Sequence, residues 1–308
     1  MKKVLSWFLD LLKGFGIGIA CIIPGVSGGT FALLVNCYDK LISSISDLFK
    51  NFVKNFLILL PIGIGILIGI LVGYIGISRA FDYILFTIIC LFAGLILGSV
   101  PSLVDEVSHE PFSPTNLLVG ILAFIFVVAI AIISFIIKVK YPDYSISTLF
   151  DKGSVVLYFL MIPVGVIGSF ALVTPGISGS MLLLVLGFYE PLLDTIHDLF
   201  HFVNPLQNVF IILSFAVGVI IGFFLMSKLM KYLLTKHRTL TYYAIIGFVM
   251  GSLLAIFVNP DIYLGKGVYL GIIQNPIELA IGIPLFIVGA VGSYILIRLA
   301  RKRGKVNA

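Results

Sequence analysis

Long apolar runs alternate with short polar stretches from one end of the chain to the other. Six of the runs, at about 55 to 77, 83 to 104, 117 to 137, 208 to 226, 240 to 258 and 277 to 297, reach the roughly 18 to 20 residues that cross a hydrocarbon core of about 30 Å. They predict six full transmembrane helices. Residues 2 to 13 follow another pattern. Leu5, Phe8, Leu9 and Leu12 share one helical face, while Lys2, Lys3, Ser6, Asp10 and Lys13 fall elsewhere, which predicts a helix lying in the membrane interface.

Two further apolar runs are broken in the middle. Residues Gly14 to Ile23 are apolar, and Pro24 then removes a backbone donor and biases Ile23 away from helix. Ser27 or Gly28 can cap a new helix from about Thr30 to Asp39, which at 1.5 Å per residue spans roughly 15 Å, half a bilayer. Two half-length arms meeting at a break form a re-entrant hairpin, here 14–40. The same break recurs at Pro175, inside a hairpin near 154–193 whose outgoing arm ends near Glu190.

The recurrence is specific. Pro24-Gly25-Val26-Ser27-Gly28-Gly29-Thr30 returns 151 positions later as Pro175-Gly176-Ile177-Ser178-Gly179-Ser180. At an offset of 149, Gly69, Gly73, Ser78, Arg79 and Tyr83 fall on Gly218, Gly222, Ser227, Lys228 and Tyr232; at 153, Gly94, Gly98 and Ser99 fall on Gly247, Gly251 and Ser252. The chain therefore divides into a first repeat (1–137), a polar linker (138–152), a second repeat (153–298) and a basic tail (299–308). Three full spans per repeat, an odd number, force the halves into opposite orientation. The expected fold is an all-α integral membrane protein of two inverted-topology repeats, each a re-entrant helical hairpin plus three transmembrane helices.

Composition agrees and narrows the class. With 60% hydrophobic and 11% charged residues and a mean hydropathy of +1.19, no soluble globular domain is left over. The net charge of +6 sits in short loops and the tail, which reads as membrane orientation and not as a nucleic-acid face. Arg298, Arg301, Lys302, Arg303 and Lys305, with Lys228, Lys231, Lys236 and Arg238, put both termini in the cytoplasm. Two loops run against the rule: the acidic 105–110 falls inside, and 138–152, with three lysines, outside. Met1-Lys2-Lys3 before an apolar run mimics a signal peptide, but Asp10 and Lys13 interrupt it, so the N-terminus is expected to be kept. Cys21, Cys37 and Cys90 have neither metal-ligand spacing nor an even count.

Irregular backbone at membrane depth is tolerated only where protein buries it or a polar cavity receives it. Both breaks should therefore line one cavity, each presenting a half-helix N-terminus with unpaired amides. Gly25, Gly28, Gly29, Gly176 and Gly179 let a ligand approach the backbone, and Ser27, Thr30, Ser178 and Ser180 add hydroxyl donors. This is an anion site without charged residues, suited to phosphate or carboxylate. The repeated glycines at 69, 73, 94, 98, 218, 222, 247 and 251 are read as helix-packing positions. Arg79 and Lys228, at equivalent positions, either receive an anionic headgroup or anchor helix ends. Asp39 and Glu190 correspond likewise and are candidates for a coupling proton, against the plainer reading of solvated interfacial carboxylates. Asp194, His197 and His201 share a face, which is read as a wet amphipathic loop; no metal and no cofactor are expected.

The two motifs, Gly187-Phe188-Tyr189-Glu190, and the Gly94 to Ser99 and Gly247 to Ser252 segments closely resemble the PopT-type polyprenyl-phosphate transporters over about residues 10 to 300. The resemblance implies a multi-pass protein of the bacterial cytoplasmic membrane that translocates undecaprenyl phosphate from the outer to the inner leaflet for cell-wall recycling. Its partners would be that lipid, the surrounding membrane lipids and a coupling proton or other ion. Cys21 departs from the family's usual Asn, and Asn36-Cys37-Tyr38-Asp39 from its usual Gly-x-Tyr-Glu. A runner-up, an undecaprenyl-pyrophosphate phosphatase with a Pro-Gly-x-Ser-Arg-Ser motif, meets Gly28 and Gly179 where its arginine would stand, so the transferring phosphoryl group lacks its stabilising cation. An ion-coupled small-anion transporter on the same scaffold is the third reading.

Overall fold

The computed structural model describes residues 2–22, 27–73, 78–141, 150, 155–258 and 276–306. Pro24 and Gly25 lie outside the described residues, as do the side chains of Arg79 and Glu190. Regular structure among the described residues is helical: α1 (Lys2–Ile22), α2 (Gly28–Leu34), α3 (Tyr38–Ser46), α4 (Phe52–Val72), α5 (Ser78–Asp105), α6 (Pro114–Lys140), α7 (Val155–Val173), α8 (Gly179–Val185), α9 (Tyr189–Phe200), α10 (Pro205–Lys236), α11 (Arg238–Val258) and α12 (Pro276–Val306).

Among the described residues, seven helices are long and apolar enough to cross a membrane: α4, α5, α6, α7, α10, α11 and α12. Six coincide with the expected spans. The seventh, α7, occupies the region read as the incoming arm of the second hairpin. Its 19 residues carry no charge, whereas its counterpart α1 carries Lys2, Lys3, Asp10 and Lys13. α1 also runs unbroken where the sequence predicts an interfacial helix followed by an arm. Gly14 and Gly18 do not end it because they press on α4: a Cβ on Gly14 would lie 2.1 Å from the Ile62 carbonyl oxygen, and one on Gly18 2.2 Å from that of Ile66. Close backbone packing offsets the roughly 0.5–1 kcal/mol that each helical glycine costs.

Helix pairing recurs between the halves. α1 packs along α4 as α7 does along α10; α5 packs along α12 as α11 does along α6. Gly69, Gly94, Gly98, Gly218, Gly222, Gly247 and Gly251 make these contacts. A Cβ on Gly98 would lie 2.1 Å from the Ala290 carbonyl oxygen, and one on Gly247 2.0 Å from that of Gly120. Away from these seams the surface is aliphatic, with Leu67, Ile125 and Leu225 exposed.

Polar contacts give the direction of the chain. Lys40 pairs with Asp10, and the Lys13 Nζ donates to the Asn36 carbonyl at 3.4 Å, so α3 has returned to the level of the first half of α1. α9 returns in the same way beside the start of α7, with Leu192 in one buried cluster with Leu157 and Met161. α10 relates these two ends. Near its start Gln207 donates to the Phe150 carbonyl at 2.6 Å, and near its end Lys231 pairs with Asp47. The start of α7 and the return of α3 thus lie at opposite ends of a 32-residue helix, about 48 Å long at 1.5 Å per residue. A core cluster joins Ile17, Ile42 and Ile62 of the first half to Val173, Tyr242 and Val249 of the second.

Candidate functional site

α2 and α8 are each 7 residues long and are built alike. Ser27 (φ −93°, ψ 129°) and Ser178 (φ −85°, ψ 122°) hold the extended conformation of an N-cap, yet neither hydroxyl caps its helix. Both helices end in the same two-bond cap. Asn36 N–H donates to the Leu33 carbonyl and Cys37 N–H to that of Ala32; Gly187 N–H donates to Leu184 and Phe188 N–H to Leu183. The cap requires a left-handed residue, supplied by Asn36 (φ +52°) and Gly187 (φ +78°). Asp39 and Glu190, expected to end the outgoing arms, therefore sit in the first turn of α3 and α9. A carboxylate is favoured there by the unpaired amides.

The structure brings the two motifs together. Gly176 N–H donates to the Thr30 Oγ1 at 2.7 Å, and the Tyr38 hydroxyl donates to the Val173 carbonyl at 2.8 Å. A Cβ on Gly29 would lie 3.3 Å from the Leu172 oxygen and 3.4 Å from Pro175. Gly176 has φ +86°, and a Cβ there would lie 2.4 Å from the Phe248 backbone, so only glycine fits. A Cβ on Gly28 would lie 2.6 Å from the Cys21 sulfur. Gly179 has room, with its nearest prospective contact at 3.7 Å.

The polar groups at this junction are unequally used. Ser27 is 5% exposed and its Oγ has no hydrogen-bond partner among the described residues; Thr174, 2% exposed, is in the same state. Such a buried orphan costs roughly 1–3 kcal/mol. Ser178 and Ser180 are half-buried, and their hydroxyls bond each other at 3.0 Å. Sequence reasoning passed over Thr174, although a hydroxyl directly before Pro175 in an apolar run was a usable signal. It also gave Tyr38 no role.

The charged candidates belong to helices other than α2 and α8. Lys228 is exposed on α10 and makes no hydrogen bond or ion pair among the described residues. Arg79 belongs to the first turn of α5. Asp39 borders a cavity of about 60 Å³ with Glu106 and Tyr242, and Arg238 donates to Glu106 at 2.6 Å. Its side chain keeps an exposed edge, but the protein packed around it raises its pKa above the ordinary carboxylate value, Arg238 opposing and Glu106 adding to the effect. His197 and His201 stack at 4.2 Å on α9.

Comparison with known proteins follows the same lines. The profile of the undecaprenyl phosphate translocase-like family matches residues 17–264. A polyprenyl-phosphate transporter of Staphylococcus aureus is 32% identical over 299 residues, covering 95% of this chain and 96% of that protein. A polyprenyl-phosphate transporter of Vibrio cholerae is 28% identical over 271 residues, covering 82% of this chain and 78% of that protein. No solved structure matches. A match running through both motifs and across most of the chain means that this membrane protein belongs to the undecaprenyl phosphate translocase-like family.

Proposed function

We propose that the protein carries a polyprenyl phosphate, undecaprenyl phosphate by its relatives, from the outer to the cytoplasmic leaflet of the bacterial cytoplasmic membrane, returning the carrier for cell-wall synthesis. The phosphate is held at the junction of the two motifs by the hydroxyls of Ser27, Ser178 and Ser180 and the first amides of α2 and α8, with Gly28, Gly29 and Gly179 leaving the backbone open. The observation that carries this reading is the buried Ser27 hydroxyl, without a partner among the described residues, beside the Thr30 to Gly176 contact. Both α2 and α8 are only about two turns long, so donors contribute more here than helix dipoles do.

Two re-entrant hairpins in inverted repeats fit the contacts. α3 and α9 each return beside the helix that precedes their break, and they do so at opposite ends of α10. Both termini are then cytoplasmic. A phosphomonoester carries about −1.5 to −2 at pH 7, more than neutral donors balance. Arg79 and Lys228 would meet the headgroup at the two membrane faces, and Asp39 and Glu190 would carry a proton with it.

The protein is not expected to cut its substrate. An arginine at position 28 would have to displace Cys21, whose sulfur lies 2.6 Å from a Cβ there, and phosphoryl transfer without a positioned cation lacks its main stabiliser. The test is translocation of a fluorescent polyprenyl phosphate in liposomes holding the purified protein, with and without a pH gradient. Headgroup movement at the rate of protein-free liposomes would overturn the proposal, and phosphate release from undecaprenyl pyrophosphate would favour the enzyme.

A further inference from the structure

A cavity of about 470 Å³ is lined by α1 and α4 together with α2 and α3, and also by Phe223 of α10 and Leu172 of α7. Its walls are aliphatic and aromatic. Tyr38 and Cys21 bring the only polar side-chain atoms among its lining residues, and the Tyr38 hydroxyl is already spent on the Val173 carbonyl. The cavity therefore suits hydrocarbon and offers little to a headgroup. Gly28 and Gly29 line it, next in sequence to Ser27, whose buried hydroxyl has no partner among the described residues. Within two residues the chain passes from a hydroxyl without a partner among the described residues to an apolar wall, which is the profile of a single-chain amphiphile with a small polar head.

Gly63 is the second, independent mark. On α4, Gly65 and Gly69 are filled by α1: a Cβ on either would lie 2.1 or 2.2 Å from an α1 carbonyl oxygen. Gly63 lines the cavity instead, and a Cβ there would meet nothing within 4 Å. It opens a slot that helix packing does not use. At the offset that relates Gly69 to Gly218, the matching position on α10 is Ile212, whose side chain stands where α4 has the open glycine.

Building on the transport reading above, we infer that this groove takes the phosphate-proximal isoprene units of the polyprenyl chain, which lie from Ser27 past Gly63 along α4. The occupant is a single prenyl chain, because Gly28 and Gly29 of the groove wall directly follow Ser27 at the junction where the phosphate is held, and the rest of the lining is almost wholly apolar.

Purified protein in liposomes would be irradiated with a polyprenyl phosphate carrying a diazirine on its first isoprene units, and translocation would be measured for Gly63→Trp and Gly292→Trp. Gly292 on α12 is an equally open control, with nothing within 4 Å of its prospective Cβ. Adducts on α3 and α4, displaced by unlabelled polyprenyl phosphate and not by excess phosphatidylglycerol, are expected. Gly63→Trp should slow translocation at least tenfold and Gly292→Trp less than twofold. Adducts that phosphatidylglycerol displaces equally, adducts elsewhere in the chain, or a Gly63→Trp rate equal to that of Gly292→Trp would overturn the groove assignment. Wild-type protein that gives the adducts and moves no lipid would overturn the transport reading and leave the groove standing.

Discussion

The two short helices at the centre, α2 and α8, share a backbone and differ in how they use their hydroxyls. Each starts from an extended serine and ends in the same pair of cap hydrogen bonds. Yet Ser27 and Thr30 are buried, with Thr30 committed to Gly176, while Ser178 and Ser180 are half-buried and bond each other. The glycines differ as well. Gly176 is locked by its left-handed φ and by Phe248, and Gly179 is not locked at all. The backbone device is the same at both places and the side chains differ, so matching positions are not interchangeable. The sharpest way to break this comparison is Gly176→Ala against Gly179→Ala. Left-handed strain of about 1–2 kcal/mol and overpacking of about 1–3 kcal/mol act together at position 176, and thermal unfolding in detergent should show that loss. Gly179→Ala should stay within about 0.5 kcal/mol of wild type, so any fall in its transport reports ligand contact. Equal unfolding temperatures for the two variants would sink the distinction.

Removing the hydroxyls one at a time sharpens it further. Ser27→Ala and Thr174→Val each delete a buried donor without a partner among the described residues, which should raise stability by about 1 kcal/mol. If Ser27 holds the phosphate, transport falls about tenfold, the worth of one hydrogen bond to a charged group. Ser178→Ala should leave stability unchanged and slow transport by only about two- to threefold, the difference being that Ser180 stands in as a neutral donor of ordinary strength. A Ser27→Ala protein that is more stable and transports normally would assign its hydroxyl no part in binding.

How far the sequence carries depends on the kind of pattern. Period and length gave the membrane helices, because hydrophobic thickness leaves little choice, and the repeated glycines disclosed their packing because a missing Cβ has few other uses at a helix crossing. Continuity was harder to read. α1 crosses the Lys13 to Gly14 boundary because its glycines are filled by α4, a tertiary fact absent from local propensity. The departure of Asn36 from glycine becomes intelligible in the cap, since both residues tolerate left-handed backbone. Thr174 and Gly63 are given no role by the sequence because their meaning lies in what does not touch them. The cap equivalence is itself testable: Gly187→Ala should cost about 1 kcal/mol, and Asn36→Gly at most a few tenths in either direction. Thermal unfolding of both variants checks it, and a large loss for Asn36→Gly would mean that its side chain, and not its φ, is what matters.

The smallest effect contrasts two carboxylates on the same side of the molecule. Asp39 has a raised pKa, mainly because protein surrounds it, with Arg238 opposing and Glu106 adding. Asp47 has a lowered pKa, chiefly through the hydrogen bond from Lys231, with Lys50 helping. Their contributions to stability therefore run in opposite directions with pH. The Asp39 contribution is present below its ordinary value of 3.8 and is lost as the pH rises through its higher folded value. The Asp47 contribution is present above 3.8 and is lost as the pH falls through its lower folded value. Asp39→Asn should accordingly gain on wild type as the pH rises from 3.8 through the higher folded value of Asp39, and Asp47→Asn should fall behind wild type below that window, as the pH rises from the lower folded value of Asp47 to 3.8. Both groups keep solvent access, so solvent screening leaves shifts of only a fraction of a kcal/mol. Unfolding in detergent at low salt between about pH 3 and 6, each variant read against wild type so that the histidine titration common to all cancels, measures the divergence. Parallel curves for the two variants would show that the Lys231 to Asp47 pair does not form in the folded protein.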